Sequence, residues 1–134
     1  MSERNLRTRA AILVLAGCAL AAPAHAADPP GKAMYMSACS ACHRPDGVGV
    51  KGAFPALAGG AFAVGPKTQV VGRVLNGRGG MPSFKADLTD DQIAAILTYV
   101  RSSWGNKAEA VKPADVAAVR TGGAPVQTRS LQAH

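Results

Sequence analysis

Two cysteines and a histidine fall within one five-residue run, Cys39-Ser40-Ala41-Cys42-His43, and no other feature of this chain restricts it as much. On a helical turn, residues three and four apart share a face. The spacing therefore presents both sulfurs to one side, with an imidazole directly behind them. C-x-x-C-H is the pattern of covalent haem attachment: the thiols of Cys39 and Cys42 add to the two vinyl groups, and His43 comes beneath the iron as proximal ligand. Other chemistries fit these residues less well. A structural zinc site needs four ligands, and no second C-x-x-C or H-x-x-x-H stands in the sequence to supply them. A thioredoxin-like redox pair needs a βαβ setting, and no strand-like alternation of any length occurs. A plain disulfide leaves His43 without a role. The expected cofactor is one covalent haem c.

An iron held on one face needs a ligand for the other. Beyond residue 26 the chain has two histidines, His43 and the terminal His134, and the latter ends a tail unsuited to axial ligation. Met34 and Met36 directly precede the cysteines, on the proximal segment, and do not reach the opposite face. Met81 lies 38 residues after His43 in a Gly-rich loop, followed by Pro82. Most methionines fill cores, but this loop holds few other apolar residues. Met81 is the expected second axial ligand. With both axial positions filled, the iron is suited to electron transfer rather than catalysis. The competing reading, a small peroxidase-like haem enzyme or a gas-binding sensor, requires an open iron position.

The first 26 of the 134 residues read as an export signal. Arg4, Arg7 and Arg9 form a basic start, Ala10 to Ala22 is an apolar run too short to span a bilayer, and Ala24-His25-Ala26 supplies the small-x-small cleavage pattern. Export places the protein in the bacterial periplasm. A second processing route stays open: Leu15-Ala16-Gly17-Cys18 resembles a lipobox, and lipidation of Cys18 would anchor the chain to a membrane. Cleavage after Ala26 leaves 12 basic and 7 acidic side chains, a net charge of +5. That field suits steering toward an acidic partner. Nucleic acid is disfavoured as a partner, because the basic residues are scattered and the chain is exported.

The remainder reads as a haem domain over residues 27–106 and a C-terminal extension over 107–134. Asp28 is placed to cap a helix that begins at Pro29 or Pro30 and runs into the cysteines. From His43 to Pro66 the chain is rich in Gly and Pro and reads as loop. A short amphipathic helix covers Thr68 to Leu75, ended by Asn76-Gly77. Thr89 and Gln92 form a capping box, Asp90 and Asp91 favour the helix start, and Ile93, Ile96, Leu97 and Val100 recur as one buried face ended by Gly105-Asn106. The extension is expected to hold two turns of helix over Pro113 to Arg120, and Thr121 to His134 has the composition of a disordered tail. The expected fold class is all-α: three main helices around one haem, which doubles as cross-link and core in a domain this small.

This layout resembles the class I c-type cytochromes. Pro55 follows His43 by twelve residues and Leu57 by fourteen, spacings the family shares. The resemblance implies that the Pro55 carbonyl accepts the His43 Nδ1 proton and that Leu57 packs on the haem. It also matches Gly31 and Tyr35 to the crossing of the first and last helices, with Tyr99 as partner. The stretches Phe54 to Gly59, Asn76 to Phe84 and Tyr99 to Asn106 look like a narrower group, the mono-haem modules that serve periplasmic dehydrogenases, including quinoprotein alcohol dehydrogenases. That likeness implies a dehydrogenase as electron donor and a terminal oxidase or another cytochrome as acceptor. Lys112 departs from the group's helix-capping Thr, which puts the tail helix in question. Arg78 is expected to bind a haem propionate, and Arg73 is a weaker candidate for the same role; either is also compatible with a solvated surface charge.

Overall fold

The computed structural model describes residues 28–122. The export segment, Cys18 and residues 123–134, including His134, lie outside the described residues. Five helices occur within them: α1 (Pro30–Ala38), α2 (Ser40–His43), α3 (Lys67–Asn76), α4 (Asp90–Ser102) and α5 (Pro113–Arg120). Among the described residues the only strand-like pairings are two isolated bridges, Val50 with Phe54 and Arg78 with Met81.

The first helix starts as its prolines allow, with Pro30 in the first turn, where a missing N–H costs nothing. Its cap is Pro29, not Asp28. Asp28 instead accepts a hydrogen bond from Lys32 at 2.9 Å, an exposed pair one turn apart. The helix does not run unbroken through the haem motif. Cys39 departs from helical geometry at φ −122°, and α2 restarts at Ser40. The short α2 keeps Cys42 and His43 on one turn, with the His43 N–H bonded to the Cys39 carbonyl at 3.0 Å.

Helix α4 is the frame. Thr89 caps it, its Oγ1 accepting from the Gln92 N–H at 3.3 Å while Gln92 Oε1 accepts from the Thr89 N–H at 2.9 Å. The helix ends at Ser102, ahead of Gly105-Asn106, and Asn106 turns inward. Ile93, Ala94, Ile96, Leu97 and Val100 are buried along it. One side of α4 packs with Val70, Val71 and Leu75 of α3 and with Val111 and Val116; the other meets Tyr35 of α1 and Ala63.

The crossing of α1 over α4 depends on Gly31. A Cβ there would stand 2.0 Å from the Ala95 carbonyl oxygen, so only glycine permits this approach. One turn on, Tyr35 is fully buried, its ring centroid 5.5 Å from that of Tyr99 and 5.2 Å from that of Trp104. Its hydroxyl donates to the Arg44 carbonyl at 2.7 Å, linking α1 to the loop beyond the haem motif.

Residues 107–120, assigned above to an extension, share this core. Thr98 Oγ1 exchanges two 3.1 Å hydrogen bonds with the Val111 backbone, and Val116 is fully buried. Helix α5 forms despite Lys112 at its cap position, because Asp115 accepts from the Lys112 N–H at 2.9 Å. No helix of the described residues is long and apolar enough to cross a membrane.

Candidate functional site

The loop after α2 brings Pro55 back to His43, whose Nδ1 lies 2.9 Å from the Pro55 carbonyl oxygen. A carbonyl only accepts, so Nδ1 carries the proton and Nε2 keeps its lone pair free as a ligand. Gly49, between the two, donates its N–H to the His43 carbonyl at 3.0 Å and narrows the turn.

The methionine loop is pinned at both ends. Arg78 and Met81 exchange two backbone hydrogen bonds of 3.1 Å across Gly79-Gly80. Gly77 enters this turn at φ 67°, and a Cβ on it would stand 2.4 Å from the Met81 carbonyl oxygen, so the turn demands glycine. Ser83 donates its hydroxyl to the Leu75 carbonyl at 2.5 Å, and the Phe84 N–H reaches the Val74 carbonyl at 3.0 Å. The end of α3 thus carries the loop.

Between the two sides lies one mainly apolar cleft. Cys39, Cys42 and His43 line it with Phe54 and Pro55; Met81, Pro82 and Phe84 line it too, and Arg73 and Arg78 contribute its positive charge. Six of the seven residues expected from sequence to meet the cofactor are therefore together. Leu57 is not in this wall. Its N–H is anchored to the Gly47 carbonyl at 2.7 Å, and its side chain packs on the cluster of Tyr35, Ala63, Ile96 and Val100. Arg73 lies over the Phe62 ring, its guanidinium carbon 4.7 Å from the centroid, while Arg78 is exposed.

Cys39 and Cys42 are half-buried and are not joined to each other by a disulfide. Burial pushes the Cys39 thiol up to about 11, and the neighbouring Cys42 adds to the shift. A redox dithiol needs the opposite shift, toward the thiolate. Among the described residues, no three His, Cys, Asp or Glu side chains gather as a metal site. The donor set, two thiols, an imidazole with a free Nε2 and a thioether along one apolar cleft, fits a covalently attached haem.

Several residues that build this site carry no obvious signal in sequence. Asn106 is buried and bonded to the Leu57 carbonyl and the Gly59 N–H. After Gly105 it reads equally well as a helix stop. Arg101 is 3% exposed and holds the carbonyls of Ala63 and Gly65. Its one signal is phase: it continues the buried row of Ile93 and Leu97 at four-residue steps.

The family profile described as "Cytochrome C oxidase, cbb3-type, subunit III" matches residues 26–100. The cytochrome c subunit of a quinone-type alcohol dehydrogenase from Gluconacetobacter polyoxogenes is 37% identical over 120 residues, covering 80% of this chain and 26% of that protein. The chain thus spans about a quarter of that relative. Cytochrome c-552 of Thermus thermophilus is 34% identical over 125 residues, covering 80% of this chain and 79% of that protein. Cytochrome c6 of Leptolyngbya boryana is 38% identical over 72 residues, covering 52% of this chain and 85% of that protein. With its helical fold, its C-x-x-C-H turn and these likenesses, the chain belongs to the c-type cytochromes, within the family that this profile describes, and its cofactor is one covalent haem c.

Proposed function

We propose that this protein is an electron carrier of the bacterial periplasm, taking electrons from a dehydrogenase and passing them toward a terminal oxidase or another cytochrome. The observation that carries the reading is the meeting of the C-x-x-C-H turn, the Pro55-supported imidazole and the Met81 loop in one cleft. Bound there, haem supplies reversible one-electron chemistry at iron.

The chain's own residues set the conditions for that chemistry. Cys39 and Cys42 tether the group covalently, and His43 offers Nε2 while Pro55 holds its Nδ1 proton. That hydrogen bond orients the ring and raises its basicity. Met81 supplies a soft thioether on the opposite side, which favours a higher reduction potential. The lining is mainly apolar, and Arg78, with Arg73 a weaker candidate, is the partner proposed for the haem propionates. The donor assignment draws on the dehydrogenase cytochrome subunits that this chain is similar to, among them those of a gluconate 2-dehydrogenase from Pantoea cypripedii and a fructose dehydrogenase from Gluconobacter japonicus. Export through residues 1–26, by cleavage after Ala26 or by lipidation of Cys18, delivers the domain to that compartment.

Optical spectra of the haem-loaded protein test the reading. The oxidised protein is expected to show a methionine-to-iron charge-transfer band that Met81→Ala abolishes, and the reduced wild type is expected not to shift with carbon monoxide. A high-spin wild-type spectrum that shifts readily with carbon monoxide overturns it in favour of a haem enzyme or gas sensor.

A further inference from the structure

Beyond the end of α4, one buried carboxamide reaches back toward the haem motif. Asn106 is 6% exposed and satisfied on every side. Its Nδ2 donates to the Val100 carbonyl at 2.7 Å and to the Leu57 carbonyl at 3.0 Å, and its Oδ1 accepts from the Gly59 N–H at 2.9 Å. These partners fix the amide's orientation, since carbonyls only accept and an N–H only donates.

The segment it grips begins two residues after Pro55. From the other side, the Leu57 and Ala58 N–H groups donate to the Gly47 carbonyl at 2.7 and 2.9 Å. Residues 57–59 are therefore held between Gly47, in the loop after the haem motif, and Asn106. Pro55 at the head of this segment presents its carbonyl to His43 Nδ1. Proline fixes φ, so the aim of that carbonyl depends on how the following residues are held.

We propose that Asn106 is a positioning residue for the proximal imidazole: by clamping Leu57 and Gly59 to the end of α4, it keeps the Pro55 carbonyl on the His43 Nδ1 proton. The proposal rests on the reading of His43 as haem ligand. Without the carboxamide, two carbonyls and one N–H lose a buried partner, and relief comes by opening the segment to water. Opening moves the Pro55 carbonyl and frees the Nδ1 proton to exchange.

The test uses haem-loaded, reduced protein and the nitrogen-15 correlated signal of the His43 Nδ1 proton. Wild type is compared with Asn106→Ala, with the isosteric Asn106→Asp, which keeps the bond from Gly59 and loses both donations, and with Ile96→Val. Ile96 lies in the cluster on which Leu57 packs and makes only apolar contacts there. Both Asn106 variants are expected to exchange that proton about tenfold faster than wild type, with the nitrogen resonance displaced. Ile96→Val is expected to lose stability without either change. Wild-type exchange in both Asn106 variants, or equal acceleration in Ile96→Val, overturns the proposal. Absence of a ligated His43 ring signal in wild type is a different result, and overturns the haem reading itself.

Discussion

Arg101 brings a guanidinium to a site 3% exposed and meets it with carbonyl oxygens: Glu109 at 2.7 Å from Nε, and Ala63 and Gly65 at 2.9 and 2.8 Å from Nη1. Burial pulls its pKa below the usual value, and the Glu109 charge partly restores it. Bonds from a charged donor to buried carbonyls are among the stronger ones, and losing the donor strands the acceptors. Arg101→Leu is therefore expected to destabilise the haem-loaded protein by about 3 kcal/mol in guanidinium unfolding. A loss under about 1 kcal/mol would mean that water replaces the guanidinium without penalty. His43 shows the contrast in legibility. Its proposed role follows from sequence spacing, because the imidazole and the two thiols sit on one turn, whereas the partners of Arg101 lie up to 38 residues away in a loop with no motif of its own.

At the scale of elements, the two contacts that organise the bundle differ in kind. The α1–α4 crossing is steric: Gly31→Ala puts a methyl 2.0 Å from a backbone oxygen that cannot rotate away. Overpacking of this sort costs about 1–3 kcal/mol, and the upper end is expected here, read as a lower thermal midpoint with α4 helicity retained. The docking of α5 is electrostatic as well as apolar. Lys67 of α3 lies 3.2 Å from Asp115 and 3.0 Å from Glu109, and Arg120 bonds Asp90 of α4 at 2.7 Å and the Leu88 carbonyl at 2.8 Å. Burial alone would lift the Asp115 carboxyl, but the Lys112 N–H and the Lys67 ammonium outweigh it and hold the pKa below its ordinary 3.8. A depressed carboxylate contributes stability above its unfolded value and loses it as pH falls through the folded one. Wild type is thus expected to weaken as pH drops below about 4, and Asp115→Asn to weaken less over that window while being less stable at neutral pH. Denaturant midpoints at pH 3 and pH 7 decide this; equal acid sensitivity in both proteins would show that other carboxylates carry it.

For the whole molecule, the cleft proposed for the haem is lined from α1, α2 and the methionine loop, and much of what lines it belongs to loops rather than helices. Loops of this kind need a shared partner to be held, which a covalent cofactor provides. Protein produced without haem attachment, as in Cys39→Ala with Cys42→Ala, is expected to lose cooperative thermal unfolding, followed by far-ultraviolet circular dichroism. A sharp transition matching that of the loaded protein would show that the helices suffice. With cleavage after Ala26, as proposed, the polypeptide carries a net charge of +5, and electron uptake from an acidic donor is expected to slow as ionic strength rises, measured by stopped-flow reduction. Much local chemistry was open to sequence where one turn of backbone decides it, although the cap of α1 fell on Pro29 rather than Asp28 and the helix broke at Cys39. The attachment motif, the Thr89 capping box and the buried face of α4 are set by spacings of three and four residues. What tertiary structure alone decided was the use of polar groups across long separations. Asn106 turned inward because Leu57 and Gly59 offered it partners, Leu57 faced the helical cluster because Gly47 fixed its amide, and residues 107–120 joined the core through Thr98, Lys67 and Asp90. In each case the free energy lies in satisfying buried or part-buried donors and acceptors, and a sequence names those groups without saying which of them will meet.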